Sequence, residues 1–313
     1  PPDALAEGHP VRQGWQAGGA VFGNRTLKPT PPVRKWLQLR FSAWRRGRVF
    51  EGTQVTPNFL AQIDVAVCPV TRTMLTHASG SGSDASVDRV CNQAGYAAGN
   101  LAVMSARANE AKADLSCRDA LHVVKQLEAS GLNTLQWSRL AVLMSFATLM
   151  KHDEAACLPL LVLPPNRLRL LNPVQALQAV VTLAFTETQA VPRLRELMAH
   201  LPAPSRHDFQ VFVLTLQARR LAINVRLGMK TSGADLRHAL EDLWTDAAVN
   251  RRWQRFALQL DEAACERAVR MASKLRLGGR GWQWLPQSAA TDGWAMQDSA
   301  PSKPPVKRIV QRT

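Results

Sequence analysis

The chain has 313 residues, of which 46% are hydrophobic and 20% charged, and its formal net charge is +15. That length allows two domains, or one domain with appendages, and the charge favours an anionic partner, with nucleic acid first and anionic membrane second. No run of about 18 apolar residues is present to span a membrane, and five scattered cysteines without a C-x-x-C pair exclude a disulfide framework and suit a reducing compartment.

Residues 1–32 are rich in Gly and Pro and read as a flexible arm. They show no signal-peptide pattern; the chain starts at proline rather than methionine, so organelle targeting stays open, and the compartment expected is intracellular, cytoplasmic or nucleoid-associated. Residues 33–46 change character. Val33, Trp36, Leu37, Phe41 and Trp44 follow helical spacing, with Arg34, Lys35, Arg45 and Arg46 around them. Between residues 11 and 50 there are nine Lys or Arg and no Asp or Glu. Such a basic, aromatic helix can lie on a phosphate backbone through Arg34, Lys35, Arg45, Arg46 and Arg48; equally, its aromatics can pack on a neighbouring domain.

Residues 55–67 lead in as a short helix or strand, and the alternation of Val65, Val67 and Val70 suits a strand. His77 to Asp84 reads as a loop, Ser86 to Cys91 as a second strand, and Asn92 to Gly99 as a turn, with a helix opening at Leu101. From residue 117 the pattern is helical, with segments expected at 117–129, 133–151, 173–188, 191–200, 206–228, 233–247 and 249–276. No fixed repeat period is present. Residues 286–313 are rich in Ser, Pro and Lys and read as a mobile basic tail.

Three pieces between Cys68 and Lys112 carry chemistry: Ser86-Val87-Asp88-Arg89, Gly95-Tyr96-Ala97-Ala98-Gly99-Asn100, and Ala108-Asn109-Glu110-Ala111-Lys112. Together they resemble the core of an HNH (ββα-metal) endonuclease over about 45 residues. The resemblance implies a hairpin and helix holding Mg²⁺ or Mn²⁺, which would polarise a scissile phosphate. It implies that Asp88 and Asn109 are metal ligands, that Asn100 holds the connecting loop, that Tyr96 packs the turn, and that Arg89 and Lys112 reach phosphate.

Departures from the family's pattern are as informative. Many members carry Asp-His where this chain has Asp88-Arg89, and arginine stays protonated, so it cannot serve as the base. A subgroup reads Ser-x-Asp-Arg-Ile-Asp, whose last Asp is Cys91 here. His77 is the histidine nearest in sequence to take the base's role. Many relatives also hold a structural zinc on two C-x-x-C knuckles. Here these read Cys68-Pro69-Val70-Thr71 and Ser105-Ala106-Arg107-Ala108, with one thiol of four, which argues against zinc and leaves the module to apolar packing by residues such as Val70, Val90, Leu101 and Met104.

Elsewhere, Lys151-His152-Asp153-Glu154 has no metal-ligand spacing, and Arg251, Arg252 and Arg255 with Trp253 and Phe256 form a second basic-aromatic cluster that suits either phosphate contact or a snorkelling helix face. The expected fold is α+β: a basic arm and amphipathic helix (1–50), an HNH-like ββα module (51–116), a larger all-α domain (117–285) and a tail (286–313). The expected function is a metal-dependent endonuclease on DNA ahead of RNA. The alternatives are a catalytically inactive HNH-like nucleic-acid-binding part of an assembly and a helical protein–protein scaffold that meets its partner through the helical domain.

Overall fold

Proline sets the start of each N-terminal helix. Helices α1 (Pro10–Phe22), α2 (Pro31–Arg45) and α3 (Pro57–Ile63) all open on it, where its fixed φ suits the first turn and its missing N–H would be unpaired anyway. His9 and Thr56 cap α1 and α3 by accepting from the Val11 and Phe59 amides at 3.1 and 3.2 Å. The structure, a computed structural model, describes residues 5–23, 28–126, 131–187, 189–227, 233–278, 283–284 and 294. The tail expected over 286–313 lies outside these apart from Trp294. The N-terminal stretch expected as a flexible arm contains α1, a helix that buries none of its residues.

Leu101-Ala102-Val103-Met104-Ser105 corrects the sequence reading most sharply. It is a strand, not the opening of a helix. Strands β1 (Ala85–Arg89) and β2 (Leu101–Ser105) pair antiparallel, with Val87 opposite Val103 and Asp88 opposite Ala102. All five residues of β2 are buried because both faces are covered. Leu101 and Val103 join Leu39, Ala43, Phe59 and Ile63 of α2 and α3, whereas Ala102 and Met104 face Val70, Val90 and the helical body. A strand covered on both sides shows no alternation, so its period cannot be told from that of a buried helix. Ser105 then caps α4 (Ala106–Lys112), accepting from the Ala108 amide at 3.3 Å. The strand expected over residues 65–70 is instead the exit of α3 and a tight turn, closed by the isolated antiparallel bridge between Val67 and Met74.

Beyond the hairpin the chain is helical: α5 (Cys117–Gln126), α6 (Thr134–Phe146), α7 (His152–Cys157), α8 (Pro173–Ala184), α9 (Ala190–Ala199), α10 (Arg206–Leu227), α11 (Gly233–Asp242), α12 (Ala247–Ala257) and α13 (Glu262–Lys274). Two short strands, β3 (Arg169–Leu170) and β4 (Gln283–Trp284), pair in parallel. The fold is thus mixed α+β and mostly helical. The single helix expected over 249–276 is two, since the Asp261 carboxylate caps a new start by accepting from Ala264 at 2.6 Å. The apolar core passes residues 116–117 without a break, so Ala102 and Met104 share one cluster with Leu140, Leu177 and Trp253.

An ion-pair network ties the turn after Cys68 to α11. Arg72 meets Glu241 at 3.1 Å and Asp242 at 2.8 Å, and Arg139 meets Asp242 at 3.3 Å. Glu241 also accepts from the Leu163 amide at 2.8 Å; its burial raises its pKa, and that hydrogen bond and the arginines oppose the rise. The second basic-aromatic cluster divides by face. Trp253 and Phe256 are buried against Phe212 and Phe209, while Arg251 and Arg252 are exposed and Arg255 pairs with Asp208 at 2.9 Å.

Candidate functional site

The hairpin register puts Ser86 and Asp88 on the same side of β1, two residues apart, and α4 lies along that side. Asn109 and Lys112, nearly one helical turn apart, reach them in order. The Asn109 amide donates to Ser86 Oγ at 2.9 Å, and the Lys112 ammonium sits 2.8 Å from Asp88 Oδ2. Thus Asp88, Asn109 and Lys112 do converge. What they form is an internal ion pair. The Lys112 side chain is 0% exposed, and its Nζ also donates to the Arg89 carbonyl at 2.9 Å and to Asn92 Oδ1 at 2.8 Å. With two N–H groups donated, a carboxylate oxygen at 2.8 Å and no exposed surface, the ammonium is not offered to a phosphate.

Asp88 Oδ2 is sealed from solvent and the side chain is 13% exposed. Its approach to Lys112 is oblique to a hydrogen-bond line, so the pair acts mainly through charge. Burial raises the Asp88 pKa; Lys112 and then Arg89 oppose that rise without cancelling it.

Arg89 points the other way and organises the loop. Its Nη1 donates to the Asn92 and Ala94 carbonyls at 2.8 and 3.0 Å, and its guanidinium lies 5.1 Å from the centre of the Tyr96 ring. Tyr96 stacks in turn on Phe50. Arg89 is therefore buried inside the loop rather than offered to a phosphate. Gly99 holds φ at +88°, and a Cβ there would meet the Arg169 Cβ at 2.8 Å, so this position needs glycine.

Asn100 is fully buried and clamps both ends of the loop. Its Oδ1 accepts from the Cys91 amide at 2.8 Å, and its Nδ2 donates to the Cys91 and Gly95 carbonyls at 3.0 and 2.9 Å. Asn100→Ala strands three backbone groups and should cost about 2–3 kcal/mol in urea unfolding. The Cys91 amide should lose protection in hydrogen exchange; unchanged protection there would refute the clamp.

The two knuckle sequences also meet. The Cys68 thiol donates to Ser105 Oγ at 3.4 Å and accepts from the amides of Thr71 and Ser105 at 3.4 and 3.2 Å; Thr71 Oγ1 lies 3.5 Å from Ser105 Oγ. Arg72 follows at φ +57°, completing the tight turn. Burial raises the Cys68 pKa, but hydrogen bonds from Ser105 and Thr71 outweigh it and leave the thiol below its ordinary value. One thiol, two hydroxyls and the Ala108 methyl do not make a zinc site.

His77 is exposed in the loop before β1 and makes no side-chain hydrogen bond among the described residues. The organiser of that loop is Asp84, which sequence reasoning passed over: it accepts from Thr76, Ser79 and the Gly80 amide at 2.7–3.0 Å, and those bonds hold its pKa far below the usual carboxylate value. Asn92 was also missed. Its amide reaches the Ala113 and Leu115 carbonyls at 3.1 Å, which ties the loop to the end of α4. An asparagine in a turn carries no mark of such a distant partner.

Of the basic residues on and after α2, Arg34, Arg45 and Arg46 are exposed and make no ion pair or side-chain hydrogen bond among the described residues. Lys35 donates to the Ala85 carbonyl at 3.3 Å, and Arg48 is half-buried with a partner of its own. A cleft of about 770 Å³, lined among others by Val67, Pro165, Arg167, Arg237 and Glu241, contains none of the motif side chains.

The donor set at Asp88 does not fit a divalent cation. A metal there would meet an ammonium already 2.8 Å from the same oxygen, and the Asn109 amide is engaged by Ser86 Oγ. Among the described residues no group of three or more His, Cys, Asp or Glu could hold a metal, and no described helix is long and apolar enough to cross a membrane. No family model matches the chain, and neither a curated protein nor a solved structure matches it.

Proposed function

We propose that the chain is a nucleic-acid-binding protein built on a catalytically silent HNH-like module, with DNA ahead of RNA as its partner. The observation that carries this reading is the fully buried Lys112 ammonium 2.8 Å from Asp88, at the position where the resemblance would put a metal. Arg89 stands where a base would act and is held by loop carbonyls. The strand–loop–strand–helix order, the Asn100 clamp and the converging knuckles support the HNH-like likeness; the net charge of +15 supports an anionic partner.

Binding to plasmid DNA should fall linearly on a log–log plot against salt. Four phosphate contacts would give a slope of about −3.6, a loss on the order of a hundredfold for a fourfold rise in salt. Plasmid nicking should be absent with Mg²⁺ and with Mn²⁺. Cleavage that disappears in Asp88→Ala would restore the endonuclease reading and overturn this one. No affinity for nucleic acid at low salt would leave the helical scaffold.

A further inference from the structure

Eight of the fourteen large hydrophobic side chains exposed among the described residues lie between Val11 and Val49. That concentration is far beyond the scattered apolar residues every surface carries. On α1, Val11, Trp15 and Phe22 fall within about 40° of one another around the helix; on α2, Leu37, Phe41 and Trp44 fall within about 60°. Trp15 is 62% exposed, Phe22 67%, Phe41 41% and Trp44 44%. The opposite side of α2, with Leu39 and Ala43, is the one packed on the module. The start of α1 meets α2 at its cap residue, where the His9 ring stands edge-on to Trp44 at 4.2 Å, and Phe41 lies 5.6 Å from Trp44. Around them are the exposed guanidinium groups of Arg34, Arg45 and Arg46, with no Asp or Glu anywhere from residue 11 to 50.

We propose that this aromatic-basic face of α1 and α2 binds single-stranded nucleic acid, with bases stacking on Trp15, Phe41 and Trp44 and phosphates meeting Arg34, Arg45 and Arg46. The proposal rests on the nucleic-acid reading above and adds to it the form of the ligand and its site. Paired bases keep their faces inside the duplex, so exposed aromatic rings gain little from it; an unpaired base presents a face to each ring. A second copy of the same face would bring like charges together. The rings of His9 and Phe41 both lie against Trp44, which gives stacked bases a braced platform there.

The test uses the full chain in fluorescence anisotropy at low salt, with a labelled oligothymidylate of about 20 nucleotides and a duplex of equal length. The single strand should bind at least about tenfold more tightly and quench tryptophan emission. Trp44→Ala and Trp15→Ala should each weaken single-strand binding about tenfold, the range lost with one base–aromatic stack, and leave duplex binding unchanged. Trp44→Phe should restore most of it. Both side chains are exposed, and circular dichroism checks that the variants fold. Arg45→Gln and Arg46→Gln should each reduce the salt slope by about one contact. Equal affinity for the two forms, unmoved by Trp44→Ala, overturns the platform but leaves nucleic-acid binding standing. No binding to either form overturns both. Emission that shifts to the blue on phosphatidylglycerol vesicles, without quenching by the oligonucleotide, assigns the face to lipid and overturns the proposal.

Discussion

Lys112→Met should lower the unfolding free energy by about 3–5 kcal/mol, the cost of removing one partner from a buried ion pair. The substitution keeps the length and most of the apolar stem of a side chain that is 0% exposed, so the loss falls on charge rather than on volume. It leaves the Asp88 carboxylate with burial as the dominant influence, and it strips the Arg89 carbonyl and Asn92 Oδ1 of a donor. Lys112→Met with Asp88→Asn should recover part of the loss, because the charge left without a partner is then gone.

The same variant should acquire a pH dependence of definite sign. Burial already raises the Asp88 pKa, and Lys112 is the strongest of the influences that oppose it. Without the ammonium the folded value rises further, while the unfolded value stays near that of a free carboxyl, about 4. The native state then holds the proton more tightly than the unfolded state does. Stability is therefore greatest below the unfolded pKa and is lost as pH rises through the folded one. Urea midpoints for Lys112→Met should be higher at about pH 5 than at about pH 8, beyond any change in the parent, and adding Asp88→Asn should abolish that difference. A variant as stable as the parent and flat with pH would mean that the pair does not hold the module together.

Such effects were not legible in the sequence, for identifiable reasons. The Asp-Arg pair, the glycine–asparagine end of the turn and the Asn-x-x-Lys step of the helix could be read because each is local. Gly99 is needed by its own φ, and Asn100 clamps residues only five and nine positions away. Lys112 is different. A lysine defaults to the surface, and only the folded register reveals that it closes over a carboxylate 24 positions earlier. Strand β2 was hidden because it is apolar on both faces, and α1 because Gly14, Gly18 and Gly19 interrupt its pattern and it buries none of its residues. The helices of the body followed their period well, but the cap at Asp261 was overlooked in an otherwise continuous pattern. The bond between Arg72 and Glu241, 169 positions apart, belongs to tertiary structure alone.

Thr71→Cys, Ser105→Cys and Ala108→Cys made together should create a zinc site. Four thiolates around zinc, at Zn–S distances of about 2.3 Å, stand about 3.8 Å from one another in tetrahedral geometry. Cys68 Sγ is already 3.4 Å from Ser105 Oγ, and Thr71 Oγ1 is 3.5 Å from the same atom. Ala108 is three residues further along, at the first turn of α4, and its amide already bonds Ser105 Oγ. The Thr71 and Ser105 amides that donate to Cys68 would support a thiolate, as they already lower its pKa. The triple variant should take up one equivalent of Zn²⁺, give the visible absorption of a tetrahedral thiolate site with Co²⁺, and gain about 4 kcal/mol of stability at a free zinc concentration a thousandfold above Kd. Thr71→Cys alone, with two thiols, should do neither. A folded triple variant that ignores zinc would mean that the knuckles meet in another geometry, and the strongest support for the HNH-like likeness outside β1, β2 and α4 would go with it. Uptake would show that the fold has kept the shape of a metal clamp, while apolar packing and the Arg72 network now do the clamping.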